Sequence, residues 1–562
     1  MAQDAPNELR TDVLVVGAGP SGLMLAYCLA KLGVDAIIVD GKAGPTRESR
    51  ALGVQARSME IYDQLGLIDR VLAERSPAVA VVPGAGRRAF GRVELRAIGE
   101  GISPYAEISV FEQSRNERLL ADALADAGRP VLWGHALDRL EVEPAPPATD
   151  RAPAAVATDR ASAEAATGAS RAAASGAEDL HAAASGAEER PAASVADAAQ
   201  PAASVTATLS GPDGEVTVRA RYCVGADGSH SPVRESLGIP FEGVTNAYTF
   251  YIADAGDVTG LADAAINLRF TLEHFLLAFP MGGTRMRLLG VVRDEDLGAD
   301  GTLDETDVRT LLRREFGIEY GAASWFTTYR VHHRLAAKFR QGPCFLVGDA
   351  AHIHSPVGAQ GMNTGLQEAH NLACALADVI VGGMPDRRLD RFEAERRPVG
   401  RTLVATTDQL FANVTSESRF ARFLRGRALP VIGPIGVRLL PRIVGGRVFG
   451  YLSQTRIHYR MSPRAFSRRD PVVGRRLQWT GDNFDALRSM TWQVHGYGVY
   501  EPEVQAIAES LGLEWHAFPA DPYGRLESGL VYLVRPDGFV AAAASARAVP
   551  GGPRAFREQL AG

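Results

Sequence analysis

Apolar and polar positions fall into blocks along this chain. The clearest block is 11–42, TDVLVVGAGPSGLMLAYCLAKLGVDAIIVDGK. An apolar run at 13–16 stops in glycines, apolar residues recur at helical spacing over 23–32, and a second run at 36–39 ends in an acid. That order predicts strand, tight turn, helix, strand. Helical patterns are expected again from Ser58 and from Ser114, with strands and loops between them to about residue 108. Strand alternation dominates 248–292, which predicts a sheet suited to cover a ligand. Phe270, Phe275, Phe279 and Met281 are candidates either to line that sheet or to fill its core. Residues 344–347 read as a buried strand ending at Gly348 and Asp349. A Pro/Gly-rich loop at 355–365 and a helix from about Gly365 follow, and 386–415 reads as helix.

Three stretches depart from this pattern. Residues 144–204 are rich in Ala, Ser, Pro and Glu and nearly repeat themselves, AAASGAEDLH then AAASGAEERP. Such a segment buries too little apolar surface to offset chain entropy, so a disordered insertion between two strands is expected. Residues 419–476 hold fourteen arginines, no lysine and one acid, Asp470, interleaved with apolar residues. Pro430, Pro434 and Pro441 are expected to exclude one long helix there. One reading of this segment is a peripheral contact with anionic lipid or an arm that draws in an anionic ligand. The other, which we expect, is a packed hairpin whose arginines meet acids elsewhere. The tail from about 480 predicts strand, helix, strand, then two strands around Pro536-Asp537-Gly538, a small α/β unit.

Composition narrows the class. With 562 residues, 46% hydrophobic and 22% charged, the chain suits a soluble protein of several units. A net charge of −6 implies no nucleic-acid partner. The four cysteines, Cys28, Cys223, Cys344 and Cys374, lie in no C-x-x-C spacing, so neither a metal site nor a dithiol pair is expected. The polar start MAQDAPNELR carries no apolar leader, and no 18-residue apolar run occurs. The expected location is cytoplasmic, with no integral membrane segment. A homodimer is left open.

The first block carries the chemistry. Gly17, Gly19 and Gly22 form G-x-G-x-x-G after a strand and at the opening of a helix. The first glycine permits the turn, the second admits a pyrophosphate close to backbone, and the third lets helix and strand pack. The helix N-terminus offers N–H groups and a positive dipole to phosphate. Asp40 stands where a carboxylate would hold a ribose hydroxyl, which favours FAD or NAD over NADP at this site. Arg47, Arg50 and Arg57 follow closely. They are candidates for phosphate or ring contacts, Arg50 foremost, or for a solvated loop.

Three separated segments agree with one another: GAGPSG at 17–22, GADGSHSPVR at 225–234 and GDAAHIHSPVGAQGMNTG at 348–365. Their order resembles the group A flavoprotein aromatic hydroxylases, the para-hydroxybenzoate, phenol and polyketide hydroxylase family, over roughly residues 10–405. RALGVQARSMEIYDQLG is similar to the phenol and polyketide branch. The resemblance implies an α/β Rossmann-type FAD-binding domain at 1–405, interleaved with a mixed β-sheet substrate domain (mainly 80–110 and 240–335). It further implies a helical Arg-rich connector at 406–478 and a thioredoxin-like domain without cysteines at 479–562. Gly17, Gly19, Pro20, Ser21, Gly22, Asp40 and Gly41 would hold the ADP half of FAD. Arg50 and Gln113 would meet the ribityl or pyrophosphate, Asp227 and Gly228 would serve FAD and NAD(P)H, and Gly348 and Asp349 would meet the ribityl chain. Pro356, Gly358, Gly361, Met362 and Asn363 would lie beside the isoalloxazine, with Arg50, Pro356 and His354 nearest the chemistry. The implied reaction hydroxylates a phenolic or polyketide aromatic with NAD(P)H and O2 through a flavin C4a-hydroperoxide. Two departures stand out: Ala359 replaces a common second glycine, and Leu52 stands where phenol hydroxylases place an Asp base. Baeyer–Villiger oxygen insertion on the same fold, and a non-catalytic flavin-holding protein, are the alternative readings.

Overall fold

The computed structural model describes residues 7–47, 49, 51–143, 204–293, 297, 302–354, 360–415, 418–459, 471–546 and 552–562. The opening block folds as its pattern predicts: strand β1 (Asn7–Val16), helix α1 (Pro20–Lys31) and strand β2 (Ala36–Asp40). β1 lies inside an eight-stranded sheet, parallel to β2 on one side and to the strand Gly214–Gly225 on the other. Cys344–Leu346 pairs in parallel with the end of Gly214–Gly225. The C-terminal ends of these three neighbours, at Val16, Gly225 and Leu346, therefore share one edge, where ligands of open α/β sheets bind. α1 and the long helix Gly361–Ile380 pack against this sheet, and the largest cluster of buried apolar residues forms around them.

A second, nine-stranded sheet is built on two long antiparallel strands, Phe241–Ala255 and Ala323–Ala336. One face is covered by the helix Glu305–Phe316, whose Val308, Leu312 and Phe316 are buried. On the other face Phe250, Ile252, Phe275 and Leu289 pack with Leu52, Ala78 and Val110, which lie in or beside a small three-stranded sheet. The tail forms a four-stranded mixed sheet in the order Glu514–Phe518, Gln493–Tyr497, Leu530–Val534, Val540–Ser545, with Glu501–Glu509 linking the parallel pair. No helix among the described residues is long and apolar enough to cross a membrane.

The helix after the Pro/Gly-rich stretch starts at Gly361, four residues before the sequence pattern suggests, so Met362 and Asn363 stand in its first turn. The three prolines do not exclude a long helix either, because Leu429–Leu452 runs unbroken through them. Pro430 sits in the first turn, where no intrahelical bond is lost. Pro434 and Pro441 each forgo a bond, and close packing compensates. A Cβ on Gly433 would come within 2.5 Å of Phe90, and one on Gly445 within 2.7 Å of Ile98. Burial of that helix face outweighs local propensity.

The expected disordered insertion, 144–204, lies outside the described residues apart from its last position, Ser204. Its flanks are instructive. Ala136–Glu143 and Ser204–Gly211 pair antiparallel, and their ladder closes at Glu143 opposite Ser204. The insertion leaves and re-enters the fold at adjacent positions. Replacing residues 146–201 with a short turn is therefore expected to leave FAD content and Tm nearly unchanged, since loop length enters stability only logarithmically. Flavin absorbance and differential scanning fluorimetry check this, and a fall of many degrees would contradict it.

Candidate functional site

The glycine turn is locked from beneath and open above. Gly17 has φ 103°, and a Cβ there would meet the Ala226 oxygen at 2.4 Å. A Cβ on Gly22 would meet the Gly17 oxygen at 1.9 Å. These contacts clamp β1, α1 and the segment after Gly225 together. Gly19, by contrast, has nothing within 4 Å of its Cβ position. It is the N-cap of α1 and supplies no side-chain cap. The first-turn N–H groups of α1 thus head an open cradle, as an anionic pyrophosphate requires. Pro20 occupies the first helical turn. Ser21 turns the other way: its Oγ lies 2.6 Å and 2.2 Å from where Cβ atoms on Gly348 and Gly365 would be. Its side chain wedges three elements together rather than facing the cradle.

Asp40 closes the same turn. Its carboxylate accepts the Ala18 N–H at 2.7 Å and the Lys42 N–H at 2.8 Å. Lys42 Nζ stands 3.6 Å from Asp40 and 3.7 Å from Glu117. Each carboxylate oxygen keeps a lone pair for a ribose hydroxyl. Gly41 follows on the surface. Gln113 begins the helix Gln113–Asp126, where its Nε2 donates to Glu117 at 2.9 Å and its Oε1 accepts the Ala51 N–H at 3.3 Å. That bond ties Gln113 to the loop carrying Arg50, which itself lies outside the described residues. Arg47 is exposed. Arg57 belongs elsewhere: it is buried against Glu60 and donates to the Asp537 carbonyl at 2.7 Å, docking the tail.

Asp227 supplies the sharpest sign of a missing partner. Its Oδ2 accepts the Val233 N–H at 3.0 Å, while the buried Oδ1 has no hydrogen-bond partner. Burial pushes its carboxyl above the ordinary range despite bonds from Ser231 and Val233. A buried carboxylate oxygen without a donor fits a site completed by a ligand hydroxyl or N–H. Gly228 follows at φ 82°. The open cradle, the acid beside it and the orphaned acceptor all suit FAD.

The opposite wall is the turn Gly348–Ala350 and the start of Gly361–Ile380. Gly348 is buried while Asp349 is exposed, so the carboxylate stands out from a rigid base. The Gly348 N–H donates to Glu368 at 2.9 Å, and Glu368 also holds His352 Nε2 at 2.9 Å with Arg396 at 3.9 Å. Burial works against the charge on His352, but the charge and hydrogen bond of Glu368, with Asp349 adding, hold it above the ordinary imidazole value. Burial likewise opposes charge on Glu368, yet His352, Arg396 and the Gly348 N–H hold it below the ordinary value. His352 is therefore structural. His354 is half-buried, its ring stacked 6.2 Å from that of His352 and its Nε2 3.1 Å from the Gly361 Cβ position. Asn363 is fully buried, and its side chain bonds Gly53, Gln55 and Ser58 at 2.7–2.9 Å. Only its backbone is left to face a ring. Met362 is half-buried beside Asn116 at 3.6 Å. Pro356, Gly358 and Ala359 lie outside the described residues.

Where the nine-stranded sheet meets Leu52, Ala78 and Val110 lies an apolar wall. Phe275, Phe279 and Met281 are buried in it and Phe270 packs on it, beside Phe250, Ile252 and Leu289. Leu52 joins this wall and is 4% exposed. The position that would hold an acid in phenol hydroxylases is thus a hydrocarbon contact. A separate cleft of about 460 Å³ opens from Gln360 between 398–406 and 450–459, with Arg401 and Arg456 on its sides. Sequence reasoning did not single out Glu117 or Glu368. The visible signal for Glu368 was QEAHN in the middle of an otherwise apolar helix.

Residues 10–169 and 177–407 match the family model described as FAD binding domain. The chain is 31% identical to the 6-methylpretetramide 4-monooxygenase of Streptomyces rimosus, over 82% of this chain and 72% of that protein. It is 31% identical to the rifampicin monooxygenase of Rhodococcus hoagii, over 94% and 95%. The structure of OxyS anhydrotetracycline hydroxylase from Streptomyces rimosus superposes with TM-score 0.69 at 26% identity, covering 98% of each chain. Motifs, cradle and full-length relatives agree, and the chain belongs to the FAD-dependent monooxygenases of the aromatic hydroxylase family.

Proposed function

We propose that this monooxygenase hydroxylates a fused-ring phenol of the polyketide kind, with NAD(P)H as reductant and O2 as oxidant. The observation that carries the substrate class is the apolar wall, rich in aromatic residues and including Leu52, which suits a broad, largely hydrocarbon ring system better than a small phenol. The relatives whose names specify such compounds support it. Bound FAD would supply oxygen activation once reduced. This chain's residues hold and shield it. Gly17, Gly19, Gly22 and Asp40 would hold the ADP end, Asp227 and Asp349 would accept from its hydroxyls, and backbone at 361–363 would face the ring system. The apolar wall orients the aromatic and excludes water, which would otherwise divert reducing equivalents to hydrogen peroxide. With Leu52 unable to take a proton, His354 is our candidate to relay the phenolic proton, and Arg50 and Pro356 are proposed beside it from the sequence alone. The cleft beside Gln360, with Arg401 and Arg456, suits a visiting nucleotide's phosphates.

The domain limits proposed are 1–405, 406–478 and 479–562, the last thioredoxin-like in its β-α-β-β-β-α order. A cytoplasmic location accords with four buried, unpaired thiols. Mass spectrometry of products from a panel of phenols and polyketides, with each nicotinamide cofactor, tests the reading. One oxygen added as an aromatic hydroxyl is expected, and lactone products would redirect it to Baeyer–Villiger chemistry. Asp349→Ala is expected to weaken FAD about ten- to hundredfold, or about 1–3 kcal/mol, by leaving a ribityl hydroxyl unpaired. Because Asp349 is exposed, the fold should survive. Flavin titration of the apo-variant beside circular dichroism decides, and unchanged affinity would remove Asp349 from the site.

A further inference from the structure

The helix Leu429–Leu452 is apolar on two sides. One side packs on Phe90 and Ile98. The other presents Val431, Ile435, Leu439 and Ile443 at strict i+4 spacing, 68%, 57%, 48% and 76% exposed, with Ile432 beside them at 52%. Scattered exposed aliphatics are ordinary, but a stripe along consecutive turns of one helix is not. Counting four residues further each way meets Arg427 and Arg447, both exposed, and the exposed Arg438 flanks the stripe. No acid and no lysine occurs in 418–459. Among the described residues, none of these three arginines forms an ion pair with an acid.

We propose that this face rests on an anionic lipid surface, with the aliphatic stripe in the interfacial layer and the arginines at the headgroups. The charge pattern selects this occupant. A second copy laid antiparallel on the same stripe would bring like charges together at both ends, with no acid to receive them. An anionic bilayer offers an apolar layer and diffuse negative charge at the same spacing, and long arginine stems reach the headgroups while the aliphatics stay below. A helix of this length lies about 36 Å along the surface, at 1.5 Å per residue, without crossing it. The inference stands independently of the substrate assignment.

Flotation of the full-length, FAD-loaded protein with phosphatidylcholine vesicles, with and without phosphatidylglycerol, tests it. Binding is expected only with phosphatidylglycerol, and should fall as salt rises. The double variant Ile435→Glu/Ile443→Glu should weaken partitioning at least about tenfold, and Arg427→Glu/Arg447→Glu about five- to tenfold. Val381→Glu, at an exposed aliphatic elsewhere, should change nothing. Flavin content and Tm should be unaffected in all variants. Absence of binding to anionic vesicles at low salt, or binding that the stripe variants retain, overturns the proposal. So does sedimentation showing a wild-type dimer that Ile435→Glu/Ile443→Glu splits, since a second copy would then cover the face.

Discussion

Arg535→Ala is expected to destabilise the protein by about 3–5 kcal/mol and to loosen the tail from the flavin domain. The Arg535 guanidinium is fully buried and bonds Glu395 at 2.7 and 3.0 Å and Asp537 at 3.0 and 2.6 Å. Asn371 donates to both carboxylates, at 3.0 and 2.9 Å. Glu395 and Asn371 belong to the flavin-domain helices, whereas Arg535 and Asp537 bracket a turn of the tail. Removing the cation leaves two carboxylates facing each other in a dry interface, and the penalty is their lost compensation rather than the worth of one bond. Differential scanning fluorimetry should show a large fall in Tm, and limited proteolysis should release the tail. An unchanged Tm would mean that water reaches this cluster. The pH dependence has a definite sign. Burial tends to raise the Asp537 carboxyl, but Arg535 overrides it and holds the group below 3.8. A depressed carboxyl contributes stability that is present above its unfolded value and lost as pH falls through the folded one. The wild type should therefore lose stability below about pH 4 more steeply than Arg535→Ala.

Glu368→Ala is expected to cost a similar amount, about 3–5 kcal/mol, and to reduce flavin affinity as well. It strips the Gly348 N–H of its acceptor and leaves Arg396, which also donates to Thr364 and Tyr459, with Glu395 as its remaining buried acid. Since Gly348 is the base from which Asp349 stands, loosening this turn should reach the cofactor. Glu368→Gln keeps an acceptor for the N–H and should cost less in stability than alanine while removing the pH dependence. His352 is raised, so its contribution is full below 6.5 and is lost as pH rises through its folded value. Glu368 is lowered, so its contribution is full above 4.5 and is lost as pH falls through its folded value. The pair should thus stabilise most between these limits. Thermal midpoints across pH for the wild type and Glu368→Gln check this, and parallel curves would show that the pair does not carry the charge assigned to it.

Local pattern and spacing by themselves determined the strand–turn–helix at the start, the cofactor motifs and the order of the tail's elements. Each of these depends on residues near in sequence: where apolar runs stop, where glycine permits a turn, where an acid follows a strand. The same local reasoning failed at Leu429–Leu452. Its prolines argued against a helix, and only contact with Phe90 and Ile98, distant in sequence, overrode them. Arg57 follows the nucleotide turn closely, which in sequence suggests a phosphate contact. It is instead engaged by Glu60 and the Asp537 carbonyl, the latter far along the chain. Pro536-Asp537-Gly538 reads as an ordinary hairpin turn, a type usually exposed, yet Asp537 is buried at the interface between tail and flavin domain. Ser21 and Asn363 stand within cofactor motifs, but their side chains hold elements together and leave backbone to face the cradle. Motifs record which residues gather at a site. Which way each side chain turns, and which buried charge finds a partner, is decided by packing and desolvation between segments far apart in sequence, and that is settled only when the chain is folded.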